Sequence, residues 1–109
     1  MTVRDMIAAL SLEILCAGDL DRPVSGAYCG DLLSRVMGRA QQNSAWVTIM
    51  GNRNTVAVAL LADVSAVILA EGVVPEDAAL ERAEAEGVTL LRSEQSAFAL
   101  CAALAALPV

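Results

Sequence analysis

Four short segments carry the polar residues able to act on a ligand: Asp31, the run Gly51-Asn52-Arg53-Asn54-Thr55, Glu71-Gly72 and Arg92-Ser93. Each follows an apolar stretch, the position where a strand ends and its connection begins. Arg53 supplies a planar fork of donors, and the free amides after Asn54 face out of a helix start, so together they suit a carboxylate or a phosphate. Gly51 has no side chain to keep a ligand off the backbone. Asp31 and Glu71 could work as a carboxylate pair or hold Mg²⁺, but nothing in their spacing selects that over ordinary surface charge. Every one of these residues also has a purely structural reading. Gly51 is then a turn residue, Asn54 a helix cap, and Arg53 a partner for Glu71 or Asp31.

For these residues to meet, the chain between them must form a layered sheet. The stretch from Ala45 to Gly72 reads as two fully apolar strands, Ala45 to Met50 and Ser65 to Ala70, joined by a Gly51 turn and an apolar helix over Thr55 to Ala62. Continuous apolar strands are expected where helices cover both faces of a parallel sheet. That helix has no polar face, so it is expected to be covered on both sides or to lie at an oligomer interface. Upstream, Thr2 caps a first helix that ends near Leu10 or Ser11, with Asp5 three residues on. A strand over Leu12 to Ala17 stops at a cluster of turn formers, Gly18 to Pro23. Val24 to Gly30 is a second strand, with Gly26 as a bulge or close approach, and the first hairpin adds an antiparallel edge. Asp31 then caps a helix whose apolar face is Leu32, Leu33, Val36, Met37 and Ala40, with Arg35 and Arg39 on a solvated side. Downstream, a helix has Pro75 in its first turn and Gly87 just past its end, burying Ala79, Leu80 and Ala83. Val88 to Leu91 is the final strand, and Ser93 or Ser96 caps an apolar last helix. The expected fold is α/β: a three-layer, mostly parallel open sheet with helices on both faces, in one domain over residues 1–109. In such a sheet the carboxyl ends of the strands gather Asp31, Gly51, Asn52, Arg53, Asn54, Thr55, Glu71, Gly72 and Ser93 at one rim, where ligands usually bind.

Composition limits what that rim can do. The 13 acidic residues stand against 7 arginines and no lysine, a net charge of −6, the wrong sign for a nucleic-acid binder or an anionic membrane. There is no histidine, which removes the usual zinc sets and every His-based nucleophile or acid/base arrangement. The chain has no GxxxxGK[ST] or GxGxxG run, and GNRNT is too short to wrap a pyrophosphate. No cofactor or metal is expected. Cys16, Cys29 and Cys101 show no CxxC spacing and read as small buried hydrophobes in a reducing cytosol. The first residues do not form a signal peptide, and Asp63 interrupts the apolar run from Thr55 to Ala70. Eleven residues without a polar group, Ala97 to Leu107, exceed what one face of a small sheet needs, so the last helix is expected to form a homodimer contact, with simple burial as the alternative.

The order of these motifs resembles the DRTGG domain family. The resemblance is carried by Gly51-Asn52-Arg53, Thr55, Ala70-Glu71-Gly72 and Val88-Thr89-Leu90-Leu91. Asp21-Arg22-Pro23-Val24-Ser25-Gly26 and Gly30 to Met37 are similar to the small stand-alone bacterial members. Asn52 stands where the family often has Asp, and Ala70-Glu71 where it has Thr-Gly; Gly51, Arg53 and Gly72 match. The resemblance implies an α/β module similar to the N-terminal domain of HPr kinase, found beside CBS regulatory domains, with no established reaction. The functional expectation is therefore a cytoplasmic, non-enzymatic regulatory or ligand-sensing module that takes a small anionic ligand or a protein partner at the rim. The alternatives are a pure interaction subunit in fermentative or redox signalling and, third, a small enzyme using Asp31 or Glu71.

Overall fold

Two uninterrupted apolar runs are buried on both faces, and their burial decides where the helices lie. The computed structural model describes all residues from Met1 to Val109. Its helices are α1 (Val3–Leu10), α2 (Leu33–Arg39), α3 (Arg53–Ala62), α4 (Asp77–Glu86) and α5 (Ala97–Ala105). Its strands are β1 (Glu13–Cys16), β2 (Ala27–Cys29), β3 (Ala45–Thr48), β4 (Ala66–Leu69) and β5 (Leu90–Arg92). They form one sheet in the order β1-β5-β4-β3-β2, in which β2, β3, β4 and β5 are mutually parallel and β1 runs antiparallel to β5. Every residue of β3 and β4 is buried, as a strand covered above and below must be.

Side chains alternate between two cores. Ala45, Val47, Ala66, Ile68 and Leu91 pack with Val3, Met6 and Leu10 of α1 and with Leu100 and Leu104 of α5. Trp46, Val67, Leu69 and Leu90 face the other way, onto Val36 of α2, Val56 and Ala59 of α3, and Ala79 and Ala83 of α4. The winding explains this division. From β2 to β5 each strand lies beside its predecessor and the direction never reverses, so right-handed crossovers place α2, α3 and α4 on one face. The terminal helices α1 and α5 cover the face left open.

Helix ends follow their local chemistry. Thr2 and Asp5 form a reciprocal capping box at the start of α1, satisfying two otherwise orphaned amides. Ser11, Asp63 and Gly87 end α1, α3 and α4 in the left-handed conformation.

Several expectations need correction. β1 does not form a hairpin with β2; the two lie at opposite edges of the sheet, and β1 pairs with β5. The second strand covers only Ala27–Cys29. Val24 and Ser25 are diverted because their amides bond Met1 and Asn43 carbonyls instead of a neighbouring strand. Nothing crowds Gly26. In α2 only Val36 is fully buried, and Leu32 and Met37 are exposed. Of the two expectations for the apolar α3, cover on both sides within one chain is not met, since Leu61 on its outer side is 72% exposed. Pro75 precedes the α4 cap, Glu76, rather than lying in the first turn. Of the two expected caps for α5, Ser96 takes the role.

A polar clasp joins three connections on the amino side of the sheet. Arg22 donates from Nε to Asn43 Oδ1 (2.9 Å) and from one guanidinium nitrogen to both the carbonyl and Oδ1 of Asp63, the latter at 2.7 Å. Gln42 adds a bond to Asp63 Oδ2 at 2.6 Å. The Arg22 hydrogen bond first, then that from Gln42, hold the Asp63 carboxyl below its usual range; Asp5 is lowered likewise by its bonds from Thr2. Their folded-state values lie below the unfolded ones, so the stability they contribute is present above the unfolded value and is lost as pH falls through the folded one. The urea midpoint should therefore decline between about pH 5 and pH 2, and Asp63→Asn, which tolerates the same left-handed backbone, should make that decline shallower. An unchanged acid limb in the variant would show that the clasp does not depend on the charge.

Candidate functional site

Parallel pairing aligns the strand ends. Thr48 lies opposite Leu69, and Leu69 opposite Arg92, so the segments that follow β3, β4 and β5 leave the sheet along one edge about 5 Å apart. The end of β2 joins this edge through Asp31. Asp31 does not cap α2, whose cap position is Leu32 and has no side-chain bond. Its Oδ1 instead accepts from Thr48 Oγ1 (2.8 Å) and the Ile49 amide (3.0 Å). Beside it, the Gly30 carbonyl accepts from Trp46 Nε1 at 2.9 Å. Asp31 thus ties the end of edge strand β2 to the end of β3.

The Gly51 segment forms the second tie. The Gly51 carbonyl accepts from the Glu76 amide (2.8 Å), and a Cβ on Gly51 would stand 2.8 Å from Pro75 Cα. The glycine is needed for approach to the protein's own backbone. Asn52, rather than Asn54, caps α3: its Oδ1 accepts from the Thr55 amide at 3.0 Å and from Thr55 Oγ1 at 3.3 Å. The free helix-start amides are accordingly those before Thr55. Thr55 is buried, whereas Arg53 and Asn54 are exposed.

The third tie links β4 to β5. Glu71 and Gly72 both have positive φ, 61° and 69°, and the Val73 amide reaches back to the Ala70 carbonyl at 3.2 Å, the arrangement of a primed tight turn. The Glu71 amide bonds the Gln95 carbonyl (2.7 Å) and the Gly72 amide the Ser93 carbonyl (2.9 Å). Ser93 is buried, and its Oγ accepts from the Gln95 amide. Arg92 braces the turn by donating to the carbonyls of Val73 (3.1 Å) and Gly72 (2.7 Å) while pairing with Glu13 and Glu94, both at 3.0 Å. The hydrogen bond to Glu13 does most to raise its guanidinium pKa; burial, next in size, opposes the rise, and Glu94 adds to it.

The edge therefore brings the expected residues together as a closed hydrogen-bonded border. Asp31, Gly51, Asn52, Asn54, Thr55, Glu71, Gly72 and Ser93 line none of the cavities. The physical reason is the winding. Ligand crevices in open α/β sheets form where the strand order reverses and neighbouring connections diverge to opposite faces. From β2 to β5 it does not reverse.

Arg53 is the exception. It lines a shallow, solvent-open cavity of about 550 Å³ on the outer side of α4, with Ala78, Glu81, Arg82, Ala85 and Glu86, all but Arg82 exposed. Neither Arg53 nor Arg82 is in an ion pair, so the expected pairing of Arg53 with Asp31 or Glu71 does not occur. The Arg82 Nε is buried without a hydrogen-bond partner. Arg82 escaped the sequence reading because it sits in the acidic run Glu81 to Glu86, where an arginine looks like a surface charge. No group of three or more Cys, Asp or Glu side chains converges to hold a metal.

A family model for the DRTGG domain matches residues 5–107. The chain belongs to the DRTGG domain family. Its fold is similar to a crystal structure of the CBS and DRTGG domains of the regulatory region of Clostridium perfringens pyrophosphatase, complexed with the activator diadenosine tetraphosphate. The TM-score is 0.77 at 13% identity, covering 94% of this chain and 45% of that one. This DRTGG domain thus spans less than half of that structure's length, and at that identity the likeness concerns the fold. None of the curated proteins matches the chain.

Two departures from the family pattern have structural consequences. Asn52 serves as a helix cap, a task it shares with Asp. Glu71 occupies a left-handed position that Gly adopts without cost and a β-branched residue adopts poorly. Glu71→Val should lower stability by about 1–2 kcal/mol, and Gly51→Ala by about 1–3 kcal/mol through overpacking against Pro75. Urea titration followed by Trp46 fluorescence measures both. A Gly51→Ala protein as stable as the parent would mean that the β3 connection has room to move.

Proposed function

We propose that this DRTGG domain is a cytoplasmic regulatory, ligand-sensing module without a reaction of its own, and that it takes a small anionic ligand between Arg53 and Arg82. The observation that carries the reading is one cavity holding two guanidiniums that lack carboxylate partners, one with a buried unpaired Nε. A guanidinium left unpaired when buried is unfavourable, and a phosphate or carboxylate oxygen relieves it by accepting charge-assisted bonds. Arg53 belongs to the first turn of α3, where the helix dipole favours negative charge. Glu81 and Glu86 share the cavity, so a bare polyanion is disfavoured there. A ligand carrying hydroxyl or amino donors beside its anionic group, such as a nucleotide, satisfies both signs. The similar regulatory region crystallised with diadenosine tetraphosphate supports the same ligand class. The strand-end residues Asp31, Gly51, Asn52, Asn54, Thr55, Glu71, Gly72 and Ser93 then hold the Arg53 segment in place, and any direct contact with the ligand comes from Arg53 outward.

Thermal shift against mononucleotides, dinucleoside polyphosphates, acyl phosphates and simple carboxylates tests this. A ligand at a hundredfold excess over its Kd stabilises by about 2.7 kcal/mol, several degrees in Tm for a domain of this size. Arg53→Ala and Arg82→Ala should each abolish the shift without lowering the unliganded Tm. If no compound raises Tm, or Arg53→Ala leaves a shift intact, the ligand reading fails.

A second reading rests on α5. Its outward positions Phe98, Ala99, Ala102 and Ala105 are exposed and apolar, with Phe98 at 86%. We read this face as the contact for a second copy or a protein partner. Sedimentation analysis should show a dimer that Phe98→Ser dissociates, and a parent that stays monomeric at high concentration removes the homodimer.

A further inference from the structure

Cys29 and Cys101 were expected to be separate buried hydrophobes, but the fold brings them together. Cys29 is the last residue of β2 and Cys101 lies in the middle of α5. Both line one cleft of about 190 Å³ at the sheet edge, whose other walls, among them Tyr28, Val47 and Leu104, are apolar. As a residue, Cys29 is exposed because β2 is an edge strand; Cys101 is half-buried, and both are free thiols. Cys16 is buried in the opposite core.

We propose that Cys29 and Cys101 form a reversible intramolecular disulfide that fastens the carboxyl end of β2 to α5. Three features support it, and a fourth sets its rate. The two thiols line the same cleft on elements in direct contact, the proximity that a bridge requires. The cleft is open to solvent on the edge-strand side, where a small oxidant can enter. Burial first, and then the adjacent Cys101 thiol, push the Cys29 thiol up to about 11, so little thiolate is present at neutral pH and the oxidation is slow unless oxidant is abundant. Finally, Cys29 leads directly into Gly30 and Asp31, whose bonds to Trp46, Thr48 and Ile49 secure the strand-end border.

The step is a two-electron oxidation. Both S–H bonds break and one S–S bond forms. With hydrogen peroxide as oxidant, the O–O bond accepts the two electrons and, with the two protons, yields two waters. A thiol reductant reverses it.

The test uses the full chain, treated with hydrogen peroxide and then alkylated. The expected product is a monomer two mass units lighter, with a peptide linking positions 29 and 101. Its Tm should rise by roughly 10 °C, because the bridge closes a long loop, and Trp46 emission should change through the Gly30 contact. Dithiothreitol should restore the starting Tm. Cys16→Ala should behave as the parent, while Cys29→Ala and Cys101→Ala, both partly solvent-facing positions, should fold and lose the whole response. The proposal is overturned if the folded protein yields only sulfinic or sulfonic acids, only bridges between molecules, or a bridge that includes Cys16. It does not depend on the Arg53 cavity, and ligand binding can fail without affecting it.

Discussion

Burial of β3 and β4 on both faces is the constraint from which the other features follow. A strand with no wet side needs a helical layer above and another below. Right-handed crossovers allow α2, α3 and α4 to form only one of those layers when the strands advance in a single direction. The second layer has to come from outside the crossover units, and the chain supplies it from its ends. α1 enters with Val3, Met6 and Leu10, and α5 closes with Leu100 and Leu104. Segment 22–24 lies along Met1 to Val3, bonded to them through backbone groups, so the first helix is anchored on the side away from the strand-end border.

The same winding determines what the border can do. Where a sheet reverses direction, its connections splay apart and open a crevice. Here successive connections lean the same way, and their polar groups find one another: Asp31 with Thr48, Gly51 with Glu76, Gly72 with Ser93 and Arg92. These bonds satisfy groups that a deep pocket would leave for a ligand. The border works as a frame, and the one arginine in the Gly51 segment lies outside it, beside the outer side of α4.

How much of this was legible in the residues depended on whether the signal was local. Strands with continuous apolar content, the Thr2 and Asp5 cap, and the Gly87 stop were readable because their causes lie within a few positions. The gathering of strand ends at one edge was also readable, since parallel pairing dictates it. The partner of β1 was not: an edge strand of four residues carries no mark of which neighbour it will take, and its pairing with β5 is settled across more than seventy positions. Asp31 reads as a cap because Asp before a helix usually is one, and only the arrival of Thr48 from the next strand redirects it. The nearness of Cys29 to Cys101 is likewise a tertiary fact, invisible in their spacing.

The arginines show how structure separates tasks that composition leaves merged. With no lysine in the chain, every positive side chain is a planar fork able to bond several acceptors at once. Arg22 and Arg92 use that capacity fully, each joining segments far apart in sequence through carbonyls and carboxylates, and Arg4 makes an exposed pair with Asp21. Of the four outside any ion pair, Arg35 and Arg39 lie exposed on α2, where solvent satisfies them. Arg53 and Arg82 alone share a cavity, and there the Arg82 Nε has lost water without gaining a partner. A group in that condition costs free energy in the empty protein and stops costing it once an acceptor arrives. Under the proposed ligand reading, affinity at this site would come from relief of an existing deficit, and binding would be tied to the stability of the α3 and α4 layer.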